Sequence, residues 1–382
     1  MLPTSTIDGP MGFTLRLIGI WPDCLCKNLL PILWTIVMLA SQIFQYWYLF
    51  THIGSDTLND LAHSLSLCFS NSLLFLKLNI LWWNRRIIFD IFATMAEDWN
   101  ICTSINLKTK MINKAILSHR FSKCIIGAYT MPLLLLGATN ILIQKSASFD
   151  QADEERQLFI QMNLPFVYSV SPTYEIVMVT QFLLQYTLAL MAGMLNVFIV
   201  TLILHIAGQI EIMCQRLLEI LVAEDEYESH IATLRALVIK HQRIIIFADN
   251  IENVFCYAAL LQFLSNTLVI CFLGFWIVTS LDSNGVLMTA ISYYVIVIME
   301  AFILCYSGEY LSSKSRSLTE SAYASLWYEL KPAQSRMLML LILRSQKQLT
   351  VTAGKFVDLS LESFTSIIKA SASYVSVLHA MY

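Results

Sequence analysis

Charge is what this sequence has least of. Asp, Glu, Lys and Arg make up 13% of its 382 residues, about half the share found in an average soluble domain. A soluble fold of this length would bury a large core but would still need a charged surface, and too few charges are present to make one. The net charge of −3 provides no excess of cations for a phosphate backbone, so no nucleic-acid partner is expected. The nine cysteines stand without a CxxC pair or an even framework, which excludes a zinc-finger pattern and a disulfide scaffold. There is no GxGxxG, P-loop, GxSxG or HExxH, and the seven histidines form no i,i+4 pair. These motifs would place a nucleotide, a nucleophile or a metal. Their absence predicts a protein that is not an enzyme and has no cofactor or metal. Residues 1–27 lack the short apolar core of a cleavable signal.

Long apolar runs take the place of charge. Hydrophobic residues make up 57% of the chain, and a bilayer-spanning helix needs about 20 of them in sequence. Six spans are expected at about 29–50, 58–83, 121–143, 176–205, 254–281 and 286–306. A seventh run, about 356–381, is apolar but carries Asp358, Glu362 and Lys369. The expected fold class is all-α, a seven-transmembrane helical bundle forming one domain over residues 1–382. Two lone charges, Lys77 and Glu300, fall inside spans 2 and 6.

Basic residues set the orientation. With the N-terminus in the cytosol, 18 of the 24 Lys and Arg residues lie in inside segments, whereas Lys145 and Arg156 lie outside. Seven spans then make the C-terminus extracellular. This sense is opposite to that of a G-protein-coupled receptor. The inside segments also continue as amphipathic helices. Ile210, Met213, Leu217, Leu218 and Leu221 recur at helical spacing, as do apolar positions in 234–247, 318–330 and 337–343. Such stripes must be buried, either within one subunit or between subunits.

Two constellations carry function. The outward halves of spans 2–6 offer His63, Phe69, Asn140, Gln181, Tyr186, Phe272, Trp276, Tyr293 and Tyr294. An apolar cavity with a few polar groups suits a small volatile apolar ligand, although each of these residues also fits ordinary helix packing. The second constellation is span 7, where Lys355, Asp358, Glu362, Ser366, Lys369, Ser373 and Ser376 form one drifting polar stripe opposite Phe364, Ile368, Ala372 and Leu378. Charges inside a membrane face protein or water, so the stripe reads as pore lining or as a buried face neutralised by partners.

The C-terminal third resembles a known family. The stretches YSGEYL at 306–311, AYASLWYEL at 322–330, TAGKF at 352–356, LSLESF at 359–364 and IIKASASY at 367–374 are similar to the end of span 6 and to span 7 of insect odorant receptors. PTYE at 172–175 and HIAGQ at 205–209 fit span 4 of that family, and the style resembles its members in ants, bees and wasps. The resemblance implies an odour-binding subunit of a ligand-gated cation channel in the plasma membrane of olfactory sensory neurons. It implies four subunits around a pore lined by span 7, with membrane lipid around them. The short inside loop after span 4 resembles the tuning subunit rather than the longer co-receptor, which would be its partner in a heterotetramer. It further implies that Val377 and Met381 close the pore, sharing a face with Ser373. Ala380 stands where gustatory receptors and the co-receptor have a glutamine. A gustatory-like channel and a transporter are the alternatives, the latter requiring broken helices.

Overall fold

A computed structural model describes residues 5–22, 28–54, 58–102, 104–150, 158–166, 168, 170–219, 227–279, 284–325 and 327–381. Within these, ten α-helices follow one another. A short helix α1 (Gly9–Ile18) is followed by α2 (Leu29–His52), α3 (Leu58–Trp83), α4 (Arg85–Ile101) and α5 (Ile105–Asp150). The long helices α6 (Thr173–Glu219), α7 (Tyr227–Thr279) and α8 (Asn284–Ala324) come next, then α9 (Pro332–Ser345) and α10 (Leu361–Met381).

Local chemistry explains the start of the chain. Asp8 caps α1 by accepting from the Met11 amide, Pro10 occupies the first turn, and Gly19 ends the helix at φ 80°. Only glycine is unstrained at that angle. A Cβ on Gly19 would also lie 2.9 Å from Pro31. The Trp34 and Trp82 indoles donate to the carbonyls of Leu17 and Ile18, so α1 is fastened to α2 and α3.

Five helices, α2, α3, α6, α7 and α8, are each long and apolar enough to cross a membrane. The helices α6, α7 and α8 run 47, 53 and 41 residues, about twice the length a bilayer needs. Each therefore continues past the length of one span as an unbroken helix. The apolar stripes of those extensions turn inward: Ile210, Met213, Leu217, Leu234, Leu237, Leu318, Leu338 and Leu341 belong to one buried core. Burial within the subunit therefore accounts for these positions. Leu221 lies outside the described residues, and Leu218 is exposed.

The same extensions are joined by charge. Glu211 of α6 accepts from Lys114 of α5 at 2.8 Å and from Lys314 of α8 at 2.7 Å. Burial raises the Glu211 carboxyl, but hydrogen bonds from the two ammonium groups outweigh it and hold it below its ordinary value.

The seventh helix differs from its expected bounds. A run from about 356 was expected, but α10 begins at Leu361, because 352–358 forms a two-stranded hairpin, β1 (Thr352–Ala353) paired antiparallel with β2 (Val357–Asp358). Gly354 and Lys355 turn it at φ 65° and 64°. The Gly354 amide donates to the Cys256 carbonyl of α7 at 3.0 Å, and Glu252 of α7 accepts from both the amide and the hydroxyl of Thr352. Lys355 and Asp358 thus belong to a hairpin docked on α7, not to a helical stripe. The acidic run Asp153 to Glu155 lies outside the described residues.

Candidate ligand cavity and pore helix

A cavity of about 390 Å³ lies between α3, α5, α6, α7 and α8. This is within the range of small-molecule sites, about 300–1,000 Å³. Its walls are mainly apolar, from Leu67, Leu73 and Leu74 of α3, Leu188, Ala189 and Ala192 of α6 and Ile296 and Val297 of α8. Pro132 of α5 also borders it.

Chain outside the helices covers part of the cavity. Phe159 and Ile160, from the segment before α6, are buried and line it. Gln181 holds that segment: its amide accepts from the Ile160 N–H and donates to the Ile160 carbonyl, both at 3.2 Å. Phe159 meets Phe182 edge-on with ring centres 5.7 Å apart.

Polar groups cluster at particular points. The Tyr293 hydroxyl is 2.6 Å from the Ser70 hydroxyl and donates to the Ser66 carbonyl at 3.2 Å. His63 lies against Trp276, ring centres 4.6 Å apart. At one end Lys77 of α3 pairs with Glu300 of α8 at 3.2 Å. Asn196 donates to that same Glu300 oxygen at 3.0 Å and to the Tyr129 hydroxyl at 2.8 Å. Asn266, 3% exposed, accepts from Gln262 at 2.9 Å, while its own Nδ2 has no partner among the described residues.

Of the residues singled out from the sequence, the structure brings His63 and Tyr293 to the cavity wall. Phe69 and Phe272 stack on each other at 6.0 Å, away from the lining. Tyr186 stacks on Phe182, and Gln181 acts on the covering segment. Tyr294 lies beside Gly274 rather than in the cavity. The side chain of Asn140 lies outside the described residues. Lys77, Tyr129, Asn266 and Glu300 were missed as cavity residues. The signal available for two of them was charge within an apolar run.

Helix α10 packs on α7 and α8 with one face. Ser363, Ile367 and Ser371 are buried, and the Ser371 hydroxyl donates to the Thr267 carbonyl of α7 at 3.2 Å. Val375 fits against Gly274, where a Cβ would lie 2.8 Å from it. The other face, with Glu362, Ser366, Lys369, Ser373, Val377, Ala380 and Met381, is exposed. Glu362 and Lys369 form no ion pair among the described residues.

The family model described as "7tm Odorant receptor" matches residues 57–372. The chain is 27% identical over 214 residues to odorant receptor 10 of Aedes albopictus, covering 56% of this chain and 57% of that one. It is 29% identical over 155 residues to putative odorant receptor 92a of Drosophila melanogaster, covering 41% and 38%. A 148-residue match to the odorant receptor coreceptor of Aedes aegypti is 27% identical and covers 38% and 31%. The chain thus spans only about half the length of the curated relatives it matches. The insect olfactory receptor OR5 of Machilis hrabei, solved in complex with eugenol, superposes with a TM-score of 0.82 at 14% identity, covering 97% of both chains. The same receptor in its other structure gives 0.78 at 15% identity. At such identity the likeness speaks for fold alone, the seven-transmembrane helical bundle. With a family model matching most of its length and this bundle as its fold, the chain belongs to the insect 7tm odorant receptor family.

Proposed function

We propose that this chain is the odorant-binding subunit of a ligand-gated, non-selective cation channel. It forms one seven-span domain, with its N-terminus in the cytosol and its C-terminus outside. It works in the plasma membrane of olfactory sensory neurons as a heterotetramer with the co-receptor. The single observation that carries this is the covered apolar cavity enclosed by five helices, two of which, α7 and α8, also hold α10. A ligand that favours one packing of these helices biases the position of α10 by that difference in affinity.

The cavity chemistry favours a small, neutral, volatile ligand bearing one acceptor oxygen. Its walls reward apolar surface. Lys77, the cation in its lining, is already paired with Glu300, so a carboxylate would have to break that pair. The Asn266 Nδ2 finds no acceptor among the described residues, and leaving a buried donor unmade costs about 1–3 kcal/mol. A carbonyl or hydroxyl oxygen would relieve that cost. The exposed face of α10, ending in Val377 and Met381, supplies a polar pore wall closed by apolar side chains, which stop ions by dewetting.

The test is current. Cells expressing this chain with a co-receptor should respond to a panel of volatile alcohols, esters, ketones and hydrocarbons, with oxygenated compounds ahead of hydrocarbons of equal size. Odour-evoked current from this chain alone, or silence from the pair despite surface expression, would overturn the assignment.

A further inference from the structure

A second cavity, about 200 Å³, lies between α4, α6 and α7, well away from the ligand cavity in sequence and composition. Asp98 of α4 and Cys102 just past its end, His205, Gln209 and Arg216 of α6 and Lys240 and Arg243 of α7 line it. It sits where α6 leaves its fourth span and α7 approaches its fifth. By the distribution of basic residues this is the cytosolic membrane boundary.

The charges in this cavity do not cancel. Arg243 is committed to Glu97 at 3.0 Å and Asp98 at 3.5 Å. Asp98 is further bound to His205 at 3.1 Å, and the other nitrogen of His205 is 3.2 Å from the Thr6 hydroxyl. Both carboxylates are therefore already taken. Arg216 and Lys240, each only partly exposed, make no hydrogen bond or ion pair among the described residues. Two partly desolvated cations sharing a concave wall focus a positive potential into it. At the rim Ile101 and Ile239 are 54% and 55% exposed.

We propose that this cavity binds a phosphate group, with Arg216 and Lys240 as its principal ligands and Arg243 at its edge. An arginine presents a planar fork to phosphate oxygens and a lysine adds a point charge. Basic pockets between helices on the cytoplasmic side are suited to anionic head groups. The exposed isoleucines at the rim fit the acyl chains of a lipid, whereas a soluble phosphate would use the cations alone. The site is independent of the odour cavity and of what that cavity binds.

The experiment uses the full-length receptor, purified with its co-receptor into nanodiscs of neutral phosphatidylcholine. Binding is measured for inorganic phosphate and for a dioctanoyl phosphatidylinositol phosphate. Saturable binding of either supports the site. Binding of the lipid with little response to inorganic phosphate assigns it to a head group, and equal binding of both assigns it to soluble phosphate. Lys240→Gln and Arg216→Gln should each weaken binding about fivefold, and Lys240→Arg should retain it. Arg316→Gln, an exposed cation elsewhere, removes the same charge and should leave binding unchanged. If Lys240→Gln fails to fold, Arg216→Gln decides. Absence of binding by both probes, or equal losses in Arg216→Gln and Arg316→Gln, would overturn the proposal.

Discussion

The pair Lys77–Glu300 offers the most quantitative test of the packing around the cavity. The two side chains are 10% and 12% exposed and 3.2 Å apart. Glu300→Gln keeps the shape and the acceptor for Asn196 but removes the counter-charge of Lys77. Stripping one partner from a buried ion pair costs about 3–5 kcal/mol, while replacing both by apolar groups of similar volume is about neutral. The pair borders an open cavity, so the lower figure applies. With an unfolding entropy of about 2 cal/mol/K per residue, a loss of about 3 kcal/mol spread over 382 residues lowers the midpoint by about 4 °C. The double variant Lys77→Met with Glu300→Leu should recover most of that loss. Heating detergent-solubilised wild type, Lys77→Met, Glu300→Leu and the double variant, and following the fraction that remains monodisperse by size-exclusion chromatography, gives the four corners of the cycle. Additive losses in the double variant would refute the coupling, as would a Glu300→Gln midpoint within about 1 °C of wild type.

Four further outcomes are expected. Tyr293→Phe should shift odour sensitivity about two- to tenfold, the worth of one hydrogen bond, while Tyr294→Phe should not; the reverse result in dose–response recordings would move the cavity contacts. Cysteines placed at Val377 and Met381 should react with water-soluble thiol reagents in the open channel, and unreactive cysteines would remove them from the gate. Epitope tags stained on intact cells should reveal the C-terminus and not the N-terminus, and surface labelling of the N-terminus would invert the topology. Phosphate binding should weaken as pH rises from about 7.5 to 9. Burial, then the charge of Arg216 and more weakly that of Arg243, lower the Lys240 ammonium to about 8, against Asp98 of α4 and Cys102 after it, which pull it upward. A bound anion favours the protonated form, so binding is at full strength below that value and weakens above it by about the same fivefold as in Lys240→Gln; His205, on α6, faces the same cavity and is held by Asp98. A flat profile would show that Lys240 is not a ligand.

The helices were legible because a bilayer imposes length and apolarity, and an amphipathic extension imposes period. Residues 29–50, 58–83 and 234–247 could be assigned on those grounds, and helices cover all three. The hairpin at 352–358 could not, since strands of two residues are too short to show alternation. Cavity membership was only partly legible. Neighbouring helical residues point about 100° apart, so Tyr293 and Tyr294 cannot both face one cavity, and the rotation of α8 that chooses between them is a tertiary property. Phe69 and Phe272 satisfied each other across α3 and α7 instead of lining a wall. Lys77 and Glu300 were visible as isolated charges, but their pairing across 223 positions was not.

The mounting of α10 constrains how it can travel. Its N-terminal end follows a hairpin fixed to α7 by Glu252 and Cys256, and the preceding Leu359 lies so close to Gly308 of α8 that a Cβ there would collide with its carbonyl. Toward the other end Val375 fits against Gly274 and Leu378 packs on the cluster around Phe275 and Val297, while Val377 and Met381 are exposed. Main-chain contacts fix the first end of α10 and side-chain packing alone holds its last turns, so the tip has the least to break on moving. A tilt of a few degrees about Leu359 therefore leaves the hairpin in place and carries the last turn outward by ångströms. If α10 lines the proposed pore, widening it in this way would need no sliding of α7 past α8, and the lever arm from Leu359 to Met381 would set how wide the tip swings.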